Sequence, residues 1–283
     1  MPLELMYITN RPDVALIAEE AGIDRVFVDM EYIGKDLRQG GMDTVQSHHT
    51  VGDVKNLRGV LKNTKLLVRC NPVHDAFDDR VSTESEVDSV IENGADIVML
   101  PYFKTAYEAE RFIAAVRGRA RTCLLVETAE AAENLDDILS VGGIDEIHIG
   151  LNDLHLAYKM NFLFELLANG TVEALCRKIR DKGISYGFGG VARVGTGTLP
   201  AECILGEHYR LGSERIILSR AFCDVSKEKD IDSVREKLCS GVADLRRFEE
   251  SLKSWSNSDY DENRKRLCDC VEKIVSMMNA PKG

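Results

Sequence analysis

The 283-residue sequence has no stretch approaching the ~18–20 uninterrupted apolar residues needed to cross a membrane. It lacks a basic-then-apolar leader, starting Met1-Pro2-Leu3-Glu4, so a cytoplasmic protein is expected. It has no excess of positive charge. Lys and Arg number 36 against 47 Asp and Glu, and the net charge of −11 argues against a general binder of nucleic acid or anionic membranes. Eight scattered cysteines are too sparse for a disulfide framework. Cys70, Cys123, Cys176 and Cys203 sit in apolar or helical stretches, as reduced buried thiols do, and Cys268-x-Cys270 is too closely spaced for a zinc-ligand pair. No Gly-x-Gly-x-x-Gly follows the first strand-like run and no P-loop is present, which counts against a dinucleotide fold and against P-loop hydrolysis. Internal repeats and low-complexity segments are also missing.

What is there is an alternation. Short apolar runs at residues 3–8, 25–29, 66–69, 96–100, 123–126, 147–149, 185–188 and 215–218 read as strands. Helical periodicity fills the gaps at 43–61, 84–92, 106–116, 129–139, 172–180 and 200–209, and Pro12 opens an earlier helix. Turns such as Gly22-Ile23-Asp24 and Gly94-Ala95-Asp96 fit helix C-termini just before the chain re-enters a sheet. Eight buried parallel strands separated by helices predict a (β/α)₈ TIM barrel over residues 1–223, with an open doubly wound sheet as the alternative. Residues 224–283 change character: 12 basic and 13 acidic residues leave them nearly neutral. Val234, Leu238, Val242, Leu245, Phe248 and Leu252, then Leu267, Val271, Ile274 and Met278, have helical spacing. A two-helix C-terminal extension follows, its apolar faces covered by the barrel or by a second copy in a homo-oligomer.

In such a barrel the chemistry sits at the C-terminal ends of the strands. Those positions hold Asp29 and Glu31, Arg69 and Asn71, Glu127, then Gly150, Asn152 and Asp153. Glu127 and Asp153, at the ends of adjacent strands, are placed to share a hard cation such as Mg²⁺ or Mn²⁺, with waters completing the shell. A guanidinium at Arg69 suits a substrate carboxylate, and it also suits an internal bridge to Glu31 or Glu127.

Val28-Asp29-Met30-Glu31, Val68-Arg69, the run from Gly94 to Pro101, Val126-Glu127-Thr128-Ala129-Glu130-Ala131 and Ile149-Gly150-Leu151-Asn152-Asp153-Leu154 occur in that order. Together they resemble the HpcH/HpaI aldolase/citrate lyase family of phosphoenolpyruvate/pyruvate barrels, over roughly residues 3–223. The resemblance implies a metal-dependent carbon–carbon lyase that cleaves or forms a 2-oxo acid, such as pyruvate, plus an aldehyde through a metal-stabilised enolate. It puts Glu127 and Asp153 on the metal-ligand positions and Arg69 on the substrate-anchoring arginine. From their places at the strand ends, Asp29 is a further catalytic candidate and Glu31, Gly150 and Asn152 are substrate-binding candidates. Two alternatives within the resemblance are a citrate-lyase-type cleavage of an acyl-CoA thioester and a non-catalytic barrel that keeps the metal site.

The chain departs from the family pattern at the proton-transfer residue. Where the aldolase branch has Asp-x-Glu-His, this sequence reads Asp29-Met30-Glu31-Tyr32, and Leu125 replaces a common glutamine. A tyrosine, with a reference pKa of ~10, is a poor base near neutral pH. His48 and His49 are the replacement candidates, brought to the mouth by a loop over residues 34–41, with His155 a third. A glycine-rich run at 187–198 carrying Arg193 follows the seventh strand, where such barrels often bind phosphate.

Overall fold

The computed structural model describes residues 1–34, 48–228 and 230–280. Eight strands, β1 (Glu4–Ile8), β2 (Arg25–Asp29), β3 (Lys65–Arg69), β4 (Ile97–Leu100), β5 (Arg121–Val126), β6 (Glu146–Ile149), β7 (Ser185–Val191) and β8 (Arg215–Leu218), close into a barrel in chain order. Every pairing is parallel, and β8 returns to β1 with Met6 opposite Ile217. The barrel expected from the alternation is the observed fold.

Because successive strand residues face opposite sides, alternate positions stack as layers inside the barrel. Glu4, Arg25, Glu146 and Arg215 form the bottom layer, in which Arg25 Nη1 meets Glu146 Oε1 at 2.5 Å and Arg215 Nε meets Glu4 Oε2 at 3.2 Å. Burial opposes the charge on Glu146, but the Arg25 hydrogen bond and the Arg215 guanidinium outweigh it and hold the carboxyl below its usual range. Met6, Phe27, Leu67, Ile97, Met99, Cys123 and Leu125 fill the middle. The next inward positions, Asp29, Arg69 and Glu127, are charged and make the mouth. Floor and apolar plug fix the strands; the chemistry is left to the top.

Among the described residues the helices are α1 (Pro12–Glu20), α2 (Val51–Val60), α3 (Thr83–Glu92), α4 (Ala106–Val116), α5 (Ala129–Glu133), α6 (Leu135–Ile138), α7 (Leu151–Ala157), α8 (Glu165–Ala168), α9 (Thr171–Asp181), α10 (Ala201–Leu211), α11 (Ile231–Leu252) and α12 (Asn257–Asn279). The single helix expected over 129–139 is two, since Asn134 leaves helical geometry at φ −88°, ψ 14° between α5 and α6. The glycine-rich loop at 34–41 and the first turns of the helix expected from residue 43 lie largely outside the described residues. The described helix starts only at Val51, because Thr50 caps it in a reciprocal box with Asp53. His48 and His49 therefore precede the helix rather than riding on it.

The extension covers its own barrel. α11 packs on α1 and ties down the chain's start, with Leu3 N–H donating to Glu249 Oε1 and Arg246 Nη1 to the Leu3 carbonyl, both at 2.7 Å. α12 lies on α10, where Gly206 admits Asn263 so closely that an added Cβ would sit 2.5 Å from Asn263 Nδ2. Val234, Leu238, Leu245, Leu252 and Leu267 are buried in these seams, while Met277 and Met278 remain exposed. No described helix is long and apolar enough to cross a membrane. All eight cysteines are free thiols.

Candidate active site at the barrel mouth

Asp29 and Arg69 face each other across β2 and β3 as register partners. Arg69 Nε donates to Asp29 Oδ1 and Nη2 to Oδ2, each at 2.8 Å, and Nη1 lies 3.5 Å from Glu31 Oε2. The guanidinium also sits over the Phe27 ring, 5.5 Å from its centroid, where the ring face attracts a cation. Burial works against the charge of Arg69, but Asp29, Glu31 and Glu127 more than offset it and push its pKa further up. The guanidinium is therefore charged at any working pH.

Asp29, Glu31 and Glu127 are 3%, 1% and 3% exposed, so each carboxylate depends on protein partners in place of water. Glu31 N–H donates back to Asp29 Oδ1 at 3.2 Å. Glu127 Oε1 accepts from Tyr102 N–H at 3.0 Å. Gly150 sits against the same carboxylate: a Cβ there would come within 2.8 Å of Glu127 Cβ and 2.9 Å of Oε2. Gly150 N–H donates to the Val126 carbonyl at 2.9 Å, locking β5 to the start of α7.

Asp153 is half-buried in the first turn of α7, four residues past the end of β6 rather than at the strand end itself. Asn152 is exposed beside it. His49 joins the mouth directly, its Nδ1 accepting from Asp29 N–H at 3.0 Å, whereas His48 is exposed. His155 is buried within α7, with Nδ1 3.2 Å from the Leu151 carbonyl, and belongs to helix packing. The structure thus links Asp29, Glu31, Arg69 and His49 through hydrogen bonds and ion pairs, and it packs Gly150 against Glu127.

Asn71 and Tyr102 complete this frame. Asn71 Oδ1 accepts from both Tyr32 N–H and Ile33 N–H at 3.0 Å, while its Nδ2 donates to Glu86 Oε1 at 2.8 Å, so the chain beyond Glu31 is held in place. Tyr102 adopts φ +48°, a left-handed backbone that a bulky residue rarely takes, and this conformation accompanies its N–H bond to Glu127. The only signal in the sequence was its place just past Leu100-Pro101.

Chemically, Glu127 and Asp153 offer the hard oxygen donors that a divalent cation takes. Among the described residues no three His, Cys, Asp or Glu side chains gather as a ready-made metal cage. A two-carboxylate site that leaves coordination positions to water and substrate matches that donor set. The glycine-rich run at 187–198 has partners of its own. β7 extends through Val191, Glu202 Oε1 accepts the Gly195 N–H at 2.9 Å, and Arg193 donates to Ser240 Oγ on α11 at 3.1 Å.

Comparison with known proteins bears on the family and the fold. The family profile of HpcH/HpaI aldolase/citrate lyase matches residues 5–163. The 2-keto-3-deoxy-L-rhamnonate aldolase of Shigella dysenteriae serotype 1 (strain Sd197) is 33% identical over 138 residues, a match spanning 38% of this chain and 51% of that relative. Among solved structures, an HpcH/HpaI aldolase from Desulfitobacterium hafniense DCB-2 superposes with a TM-score of 0.60 at 17% identity, covering 90% of this chain and 95% of that one. Citrate synthase SbnG superposes at 0.57 with 16% identity, over 88% and 95% of the two chains. At these identities the superpositions establish the shared barrel.

Proposed function

The chain belongs to the HpcH/HpaI aldolase/citrate lyase family, and from that premise we propose that it is a carbon–carbon lyase of the aldolase type, cleaving or forming a bond between a 2-oxo acid such as pyruvate and an aldehyde. The observation that carries this reading is the Arg69–Asp29 pair at the barrel mouth, alongside a Glu127 carboxylate oriented by Tyr102 and Gly150. Glu127 and Asp153 would hold Mg²⁺ or Mn²⁺. When bound, that cation supplies Lewis acidity toward the carboxylate and keto oxygens of the 2-oxo acid.

The protein's own groups do the rest. Asp29 uses Nε–H and one Nη2–H of Arg69, so the guanidinium keeps further N–H donors for a substrate carboxylate. Its fixed charge offsets the negative charge that develops on the pyruvate-like enolate as the bond breaks, and it does so without moving a proton. Glu31 and Asp29 keep that guanidinium in place. Gly150 gives Glu127 room, and Asn152 stands exposed at the rim for substrate contact. Residues 224–283 serve as a packing extension, and exposed Met277 and Met278 at its end suit contact with a second copy.

The test is to incubate the purified protein with pyruvate, a panel of aldehydes and Mg²⁺, and to follow 4-hydroxy-2-oxo acids by NMR. Metal-dependent product formation supports the reading. No product with any aldehyde, together with no pyruvate binding in the presence of metal, overturns it.

A further inference from the structure

The place of the proton on His49 follows from the end of a strand ladder. Thr9 N–H donates to the Phe27 carbonyl at 3.2 Å where β1 runs out beside β2. Asp29 N–H, two residues further along β2, donates to the His49 ring instead, with Nδ1 at 3.0 Å. A backbone N–H can only donate to a lone pair, so Nδ1 carries no hydrogen, and the proton of a neutral imidazole then sits on Nε2. We propose that His49 is locked as the neutral Nε2–H tautomer and acts in the mouth as a hydrogen-bond donor to a substrate oxygen, not as the base that replaces the family histidine. The donor role rests on the lyase reading above; the tautomer does not.

Two features point the same way. A base would need its lone pair on Nε2 and therefore a hydrogen on Nδ1, where it would confront the Asp29 N–H head on. A cationic ring would meet the same clash. The Asp29 carboxylate, the group in that residue able to stabilise an imidazolium, is turned to Arg69 and to the Glu31 N–H. Whatever Nε2 meets, it meets as a donor. A neutral imidazole of this kind polarises a carbonyl oxygen without giving up its proton, so no proton balance passes through His49, and the base for the partner's hydroxyl lies elsewhere.

Two measurements test this on the full chain. First, long-range ¹H–¹⁵N correlation of the labelled protein at about pH 7, with His49 identified from its loss in His49→Gln, reads the tautomer without any substrate. The expected pattern is a protonated Nε2 and a lone-pair Nδ1; a protonated Nδ1 or a cationic ring overturns the proposal even if the protein is a lyase. Second, pyruvate affinity with Mg²⁺ is compared in His49→Ala and His49→Gln. A glutamine amide reaches the Nε2 position and donates there, so His49→Gln should stay near wild type while His49→Ala weakens binding about tenfold, as loss of one charge-assisted hydrogen bond does. Equal loss in both variants, or none in either, removes the donor role; a failure of aldol chemistry alone leaves both readouts intact.

Discussion

Arg69 and Asp29 meet as a two-pronged pair, Nε on Oδ1 and Nη2 on Oδ2 at 2.8 Å each, at the facing ends of β3 and β2. The contact couples fold and site. It holds the carboxylate that ends one strand, and it fixes the orientation of the guanidinium that the next strand delivers to the mouth.

Breaking this pair from one side leaves a buried charge alone. Arg69→Met should destabilise the protein by about 3–5 kcal/mol, the usual cost of an uncompensated buried ion, as read by urea denaturation. Arg69→Lys keeps the charge but loses the fork, so it should fold better than Arg69→Met and still bind pyruvate about tenfold or more weakly than wild type. An Arg69→Met protein as stable as wild type would show that the pair contributes nothing to the fold.

Gly150 tests the orientation of Glu127. Its φ of −83° is open to any residue, so the effect of Gly150→Ala comes from the collision of the new Cβ with Glu127. The expected result is weaker Mn²⁺ binding by calorimetry with little change in melting temperature. Glu127→Gln, which keeps an oxygen for Tyr102 N–H but removes the charge, should abolish Mn²⁺ binding. Undiminished Mn²⁺ affinity in both would remove Glu127 from the metal site.

Acid should weaken the barrel through His148. Burial, aided by nearby Arg215, pushes its pKa from 6.5 down to about 4, although Nε2 lies 3.2 Å from the Gly189 carbonyl. Between those values the unfolded chain binds a proton that the folded chain refuses. The stability is therefore complete above about pH 6.5 and is lost as pH falls toward about 4, with a limiting slope of ~1.4 kcal/mol per pH unit for one proton. His208, buried against Phe188, is shifted in the same direction and adds to the slope. Urea midpoints across this range should show His148→Gln losing one proton's worth of pH dependence. A slope identical to wild type would contradict the assignment.

The barrel was legible because its strands are short, apolar and separated by helices with clear ends; the bounds expected for residues 25–29 and 215–218 are those observed. Arg69 and Glu127 were legible as residues because alternation within a strand carries a polar side chain to the mouth. Their partners were not. Nothing in Asp29-Met30-Glu31-Tyr32 says that the Asp29 N–H will find a ring twenty residues later. The left-handed turn at Tyr102 depends on where β4 delivers the chain, not on any local preference of tyrosine. The split at Asn134 is similar: helical periodicity continues through it, and only packing shows where the backbone turns. For the glycines at 187–198, composition suggests backbone N–H groups open to an anion, and it does not show that Glu202, supplied by the following helix, takes the Gly195 N–H.

In the reading proposed above, Arg69, Glu127 and Asp153 make a site for turning a 2-oxo acid into its enolate. Exchange of the pyruvate methyl protons with D₂O, followed by NMR with chelated protein and then with Mg²⁺, tests it most directly. The expected result is exchange that appears only with metal and disappears in Glu127→Gln and Asp153→Asn. Exchange that persists unchanged in both variants, or its absence from wild type at saturating Mg²⁺ and pyruvate, would contradict it.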